Sequence, residues 1–206
     1  MTLSEDGLMH AEGGDRVRSP QKHPLGLGIL ICTVALLGAL AVARTAASPP
    51  SAEVKLRLLE EPRPLPELSF VDGAGRPLRL ADFRGRAVLL NIWATWCAPC
   101  RKEMPSLNQL QAELGGPKFE VVALSVDEDG VPSVEAFYNE LKLDNLAIYV
   151  DPSGAVMRTL RVLGVPTTLL VDTEGNEIGR ALGPDQWNAP AVVRFLEQWM
   201  HEAARL

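Results

Sequence analysis

AVLLNIWATWCAPC, spanning Ala87 to Cys100, decides how the rest of the chain is read. Its first half, Ala87–Trp93, is an almost unbroken apolar run of strand length, the pattern of a central strand covered on both faces. Its second half places two thiols where that strand gives way to a helix over about Cys97–Leu114. Two cysteines separated by two residues at a helix start approach closely enough to close a small disulfide ring. The first sulfur lies beside the unpaired N–H groups of the helix N-terminus, whose positive potential favours thiolate over thiol. The second lies one turn further in, where it can attack a mixed disulfide and release the partner. These arguments make Cys97 the attacking nucleophile and Cys100 the resolving thiol. Pro99 suits the first helical turn, where a missing N–H costs nothing.

Outward from that junction the chain alternates strand and helix. Leu68–Val71 and Pro77–Leu80 flank the turn signal Asp72-Gly73-Ala74-Gly75. Phe119–Val126 reads as the next buried strand, followed by helix Val134–Leu141, strand Ala147–Val150 and a short helix around Ala155–Arg161. Thr167–Asp172 and Glu177–Leu182 form a strand pair across Thr173–Asn176, and an amphipathic helix runs from about Ala189 to Ala204, with Asn188 placed to cap it. Such alternation implies a three-layer α/β domain, residues 65–206, with helices on both faces of a mixed sheet.

Residues upstream divide into three parts. The polar, aperiodic stretch 1–24 reads as a disordered tail. Leu25 to Ala43, LGLGILICTVALLGALAVA, carries no charge and approaches the ~20 residues that a helix needs to cross ~30 Å of hydrocarbon. A single uncleaved transmembrane anchor is expected there; the competing reading is a cleaved signal peptide, since Ala41-Val42-Ala43 has small-x-small form. Arg16, Arg18 and Lys22 precede the run and Arg44 alone follows it closely, which keeps the amino terminus cytoplasmic, although Lys55, Arg57 and Arg63 even the balance over a wider window. Residues 44–64 hold Pro49, Pro50, Pro62 and Pro64 and are expected to form an extended linker. Cys32 lies inside the apolar run as a small apolar residue.

Composition narrows the function. A formal charge of −6 excludes the basic face that a nucleic-acid-binding protein needs. Three cysteines are too few for a disulfide-stapled scaffold. Zinc would require a second ligand pair, yet His10 and His23 lie in the tail and His201 near the other end. Two thiolates could hold Cu(I), and that metallochaperone reading stays open beside redox exchange. A purely structural disulfide would close too small a ring to constrain the unfolded chain much. No cofactor and no resident metal are expected.

From Leu80 to Leu107, LADFRGRAVLLNIWATWCAPCRKEMPSL closely resembles the membrane-tethered, outward-facing thioredoxin-fold proteins of the TlpA and ResA group, TlpA above all. The likeness extends through Gly164-Val165-Pro166-Thr167-Thr168 to the carboxyl terminus. It implies a thioredoxin fold, a disulfide-exchange activity in the bacterial periplasm on a single-pass inner-membrane anchor, and a redox-active disulfide between Cys97 and Cys100. It implies that Pro166 is the cis-proline facing the dithiol, with the Val165 backbone open to a client peptide. Glu103 matches an acidic residue near the dithiol in the ResA group and can share a helical face with Cys100, aiding proton transfer; the alternative is a solvated charge favourable to the helix's first turn. Trp96 is expected to line the client surface and Trp93 to pack in the core. Asn91 stands where cytoplasmic thioredoxins carry a buried aspartate, and Pro105 matches the proline that kinks the active-site helix. A peroxidase is excluded because Leu90 and Ala94 occupy the positions that would require proline and threonine. The family's clients are apocytochrome c or copper-centre assembly proteins, reduced with electrons from a membrane relay. The same motif also serves disulfide-forming oxidases, since direction is set by reduction potential.

Overall fold

The computed structural model describes residues 55–203. The expected tail, the apolar run and most of the expected linker therefore lie outside the described residues, and among the described ones no helix is long and apolar enough to cross a membrane. Eight strands form one sheet: β1 (Arg57–Pro64), β2 (Ser69–Asp72), β3 (Pro77–Arg79), β4 (Ala87–Trp93), β5 (Phe119–Ser125), β6 (Tyr149–Val150), β7 (Thr167–Val171) and β8 (Asn176–Leu182). Four α-helices accompany them: α1 (Ala98–Leu114), α2 (Val131–Leu141), α3 (Ala155–Thr159) and α4 (Pro190–Ala203). The strand order is β1-β8-β7-β4-β5-β6-β2-β3. Strands β4, β5 and β6 run parallel, while β7, β8 and β1 join antiparallel on the other side of β4. The result is the three-layer α/β thioredoxin fold with a central mixed sheet.

All seven residues of β4 are buried, as an apolar run between two flanking strands and covered on both faces must be. Leu89, Leu90 and Ile92 have no exposed surface. Helix α1 begins at the residue after Cys97, carries proline in its first turn, and continues through Pro105. At the far end Ala189, not Asn188, supplies the carbonyl that receives the first amide protons of α4, and the Asn188 amide donates to Gln109 instead.

The linker boundary moves. Arg57–Pro64, assigned from its prolines to a spacer, is an edge strand paired antiparallel with β8, its register broken between Leu58 and Arg63. Prolines are tolerated there because an edge strand leaves half its amide groups without a ladder partner. Leu56, just upstream, is already in the core. Gly179 makes the pairing possible: a Cβ there would stand 2.8 Å from the Arg57 carbonyl oxygen, too close for any side chain.

Candidate active site

The parallel strand β4 ends at Trp93, and its direction delivers the following loop to the start of α1. Cys97 is the N-cap of that helix. Its Sγ accepts the Cys100 N–H at 3.2 Å, so the sulfur takes the place a serine or aspartate oxygen fills at ordinary helix starts. Cys97 and Cys100 are joined in a disulfide. Their accessibility differs: Cys97 keeps 5% of its surface exposed and Cys100 none. The Val165–Pro166 peptide bond is cis, and the Val165 carbonyl oxygen lies 3.6 Å from Cys97 Sγ. Trp96, beside the outer sulfur, is 69% exposed. Trp93 is fully buried, its ring 5.0 Å from that of Phe137. The structure thus gathers Cys97, Cys100, Trp96, Val165 and Pro166 at one end of β4.

Glu103 sits one turn beyond Cys100 and is not a solvated helix-end charge. It is buried, and three donors, one from β4 and two from the segment between β8 and α4, converge on its carboxyl group. Asn91 Nδ2 donates to Oε1 at 2.9 Å, while the Asp185 N–H and Trp187 Nε1 both donate to Oε2 at 3.0 Å. Burial pushes its pKa above the ordinary carboxyl range, against the pull of the Trp187, Asn91 and Asp185 hydrogen bonds. Asn91 also donates to Thr168 Oγ1 at 2.9 Å, tying the centre of β4 to β7 just past the cis-proline. Its own Oδ1 has no hydrogen-bond partner among the described residues.

A second buried carboxylate holds the loop before the dithiol. Asp127 accepts the Thr95 N–H at 2.9 Å, the Thr95 hydroxyl at 2.6 Å and the Ser125 hydroxyl at 2.6 Å. The sequence reading passed over Asp127 and Trp187. A polar Ser125-Val126-Asp127 ending an otherwise apolar strand was a readable signal for the first. Nothing local marks Trp187, which reaches Glu103 across 84 residues of chain.

A central strand that hands a disulfide, its outer cysteine just reaching the surface, to the first turn of a helix, inside this sheet order, defines a thioredoxin-fold thiol–disulfide oxidoreductase. Comparison with known proteins agrees. The Redoxin family model matches residues 61–196, and the chain belongs to that family, among the oxidoreductases related to ResA and DsbE. The thiol-disulfide oxidoreductase ResA of Bacillus cereus is 34% identical over 133 residues, covering 65% of this chain and 74% of that protein. The thioredoxin-like protein YneN of Bacillus subtilis is 36% identical over 119 residues, 57% of this chain and 68% of its own. Among solved structures, one from Chlorobium tepidum described as a thiol:disulfide interchange protein DsbE superposes with a TM-score of 0.58 at 30% identity, covering 70% of this chain and 98% of that one.

Proposed function

We propose that this chain is a membrane-tethered reductase of client disulfides on the outer side of a bacterial inner membrane, with Cys97 as nucleophile and Cys100 as resolving thiol. The observation that carries the assignment is the Cys100 N–H directed at Cys97 Sγ from the first turn of α1, which stabilises negative charge on the more exposed sulfur. In the reduced enzyme, Cys97 thiolate attacks one sulfur of the client disulfide. A Cys97–client bond forms and the other client sulfur leaves as thiolate. Cys100, losing its proton, then attacks Cys97 Sγ; the mixed disulfide breaks, the second client sulfur departs, and the Cys97–Cys100 disulfide closes. Two electrons have passed to the client, whose thiolates take up two protons. A dithiol relay in the membrane returns the electrons by the reverse exchange and is itself oxidised to a disulfide.

Glu103 is the proton carrier for Cys100 in this scheme, its burial making the carboxyl hold a proton more readily than an exposed one. A protonated Glu103 needs an acceptor for its new O–H, and a half-turn of the Asn91 amide would offer Oδ1. Trp96 and the Val165–Pro166 backbone receive the client chain. The tether rests on the apolar run 25–43, with residues 1–24 on the cytoplasmic side. The client class, apocytochrome c or copper-centre assembly proteins, and the placement nearer TlpA rest on the resemblance of TWCAPC and GVPTT to the TlpA and ResA group.

The test is a trap. In a Cys100→Ser variant the mixed disulfide cannot be resolved, so the client should accumulate on Cys97 and be released by dithiothreitol. Cys97→Ser should trap nothing. Equal trapping by both variants would overturn the assignment. Redox titration against glutathione separates directions: a potential near that of strong oxidants would favour disulfide formation over reduction.

A further inference from the structure

On the β1–β8 edge of the sheet lies a recess of about 640 Å³ whose charge runs against that of the whole chain. Four arginines line it, Arg57, Arg63, Arg161 and Arg180, with Glu177 as their one acidic companion there, in a protein of net charge −6. Glu177 is buried and engaged twice, by Arg63 Nη2 at 2.6 Å and by the Arg180 guanidinium at 2.8 and 3.0 Å. Burial alone would raise its pKa, but the hydrogen bonds from Arg180 and Arg63 outweigh that and hold it below the ordinary range. It is therefore ionised and fully occupied. Arg57 and Arg161 are exposed and form no ion pair among the described residues.

The recess is continuous with the catalytic loop. Leu182, on its rim and 71% exposed, pairs with Thr167. The next residue, Gly183, donates its N–H to the Pro166 carbonyl at 2.9 Å. On the other side, Arg161 opens the loop that carries Leu163, 99% exposed, to Val165. Arg161 adopts a left-handed backbone, φ 53°, in which a non-glycine side chain is uncommon and costs energy. A glycine would relieve that strain, yet an arginine stands there with its side chain on the recess.

We propose that this recess is a specificity site that selects client segments with acidic residues flanking the target cysteine, an inference that rests on the disulfide-exchange reading above. The client backbone lies along Val165 so that its sulfur meets Cys97. Its apolar residues cover Leu163 and Leu182, and its carboxylates reach Arg161 and Arg57. Charge pairs of this kind contribute more to partner choice and encounter rate than to raw affinity. A surface of anionic lipid would also suit a basic patch. Continuity with the loop that faces the dithiol favours the polypeptide.

The full-length chain in an uncharged detergent tests this with two synthetic disulfide peptides, identical except for aspartates or lysines around the cysteines. The wild type should reduce the aspartate peptide with kcat/KM about tenfold higher at low salt, a ratio that shrinks toward one in ~1 M salt. Arg161→Gly, which suits the backbone better than arginine, should cut the ratio at least threefold, and Arg57→Ala/Arg161→Gly should bring it near one. Because a ratio is read, partial loss of active protein leaves it unchanged. A wild-type ratio near one, a ratio unmoved in the double variant, or inhibition by phosphatidylglycerol vesicles without peptide preference would overturn the proposal. Hydroxyethyl disulfide, uncharged, keeps the two readings apart: failure to exchange with it would sink the oxidoreductase mechanism, whereas exchange without charge preference would sink the specificity site alone.

Discussion

From Ala87 to Leu90 strand β4 lies between Phe119, Val121 and Val122 on one side and Leu169, Leu170 and Val171 on the other, with the half-buried Glu120 as the single charged neighbour. From Asn91 to Trp93 the same strand is equally buried, but its lateral partners include Thr167, Thr168 and Ser125, and the carboxylates of Glu103 and Asp127 close over that end. Buried polar groups are costly unless each finds a partner. Here Glu103 has three donors and Asp127 three. The first half of β4 thus joins its backbone ladders to side-chain packing that is apolar throughout. The second half accepts the cost of polar burial at the end of the strand that carries the dithiol, where one network fixes the loop and the other, in the proposed mechanism, carries a proton.

Mutations can separate the halves. Cys97→Ser should have the largest effect, lowering disulfide reduction by roughly three orders of magnitude or more while leaving the thermal midpoint of the reduced protein near the wild-type value. Asn91→Asp should come next, costing about 3–5 kcal/mol at pH 8, because it replaces a donor with a second carboxylate against Glu103. That loss should shrink as pH falls and the pair takes up a proton. Leu89→Ala, in the dry half, should cost a comparable ~2–5 kcal/mol through cavity formation, equally at both pH values. Urea titrations of both variants at pH 5 and pH 8 check the contrast, and a pH-independent loss in Asn91→Asp would erase it.

Trp187→Phe should cost about 1.5–3 kcal/mol, the range for a hydrogen bond to a charged group, and push the Glu103 pKa still higher. The sign for the wild type follows from that raised pKa. The fold favours the protonated carboxyl, so this stabilisation is complete below the ordinary carboxyl range and is lost as pH rises through the folded value. Removing the Trp187 donor should extend the decline to higher pH in the stability profile. Smallest is Trp96→Ala: an exposed ring should change stability by no more than about 0.5 kcal/mol, while turnover of protein disulfides falls more than turnover of a small disulfide.

Much of this was legible in the sequence because local pattern carries it. The almost unbroken apolar run gave β4 its residue-for-residue limits, and CxxC after it gave the helix start. β1 was misread for a physical reason: proline speaks against a central strand and is silent about an edge, where β8 supplies the pairing. Glu103 was visible as a candidate through its match to an acidic residue of the ResA group, three positions past Cys100. Its burial depended on Trp187 and Asp185 from the far end of the chain, which no local signal announces. The cis geometry at Pro166 came from the likeness of Gly164–Thr168 to a family motif, since proline itself is compatible with either isomer.

The most direct measurement is the site of first alkylation. The reduced full-length protein, given a brief limiting dose of iodoacetamide at neutral pH and mapped by peptide mass spectrometry, should carry the label on Cys97, whose Sγ caps the helix and which is the more exposed of the two cysteines. Label appearing first on Cys100, or on both sulfurs at equal rates, would contradict the assignment of nucleophile and resolving thiol.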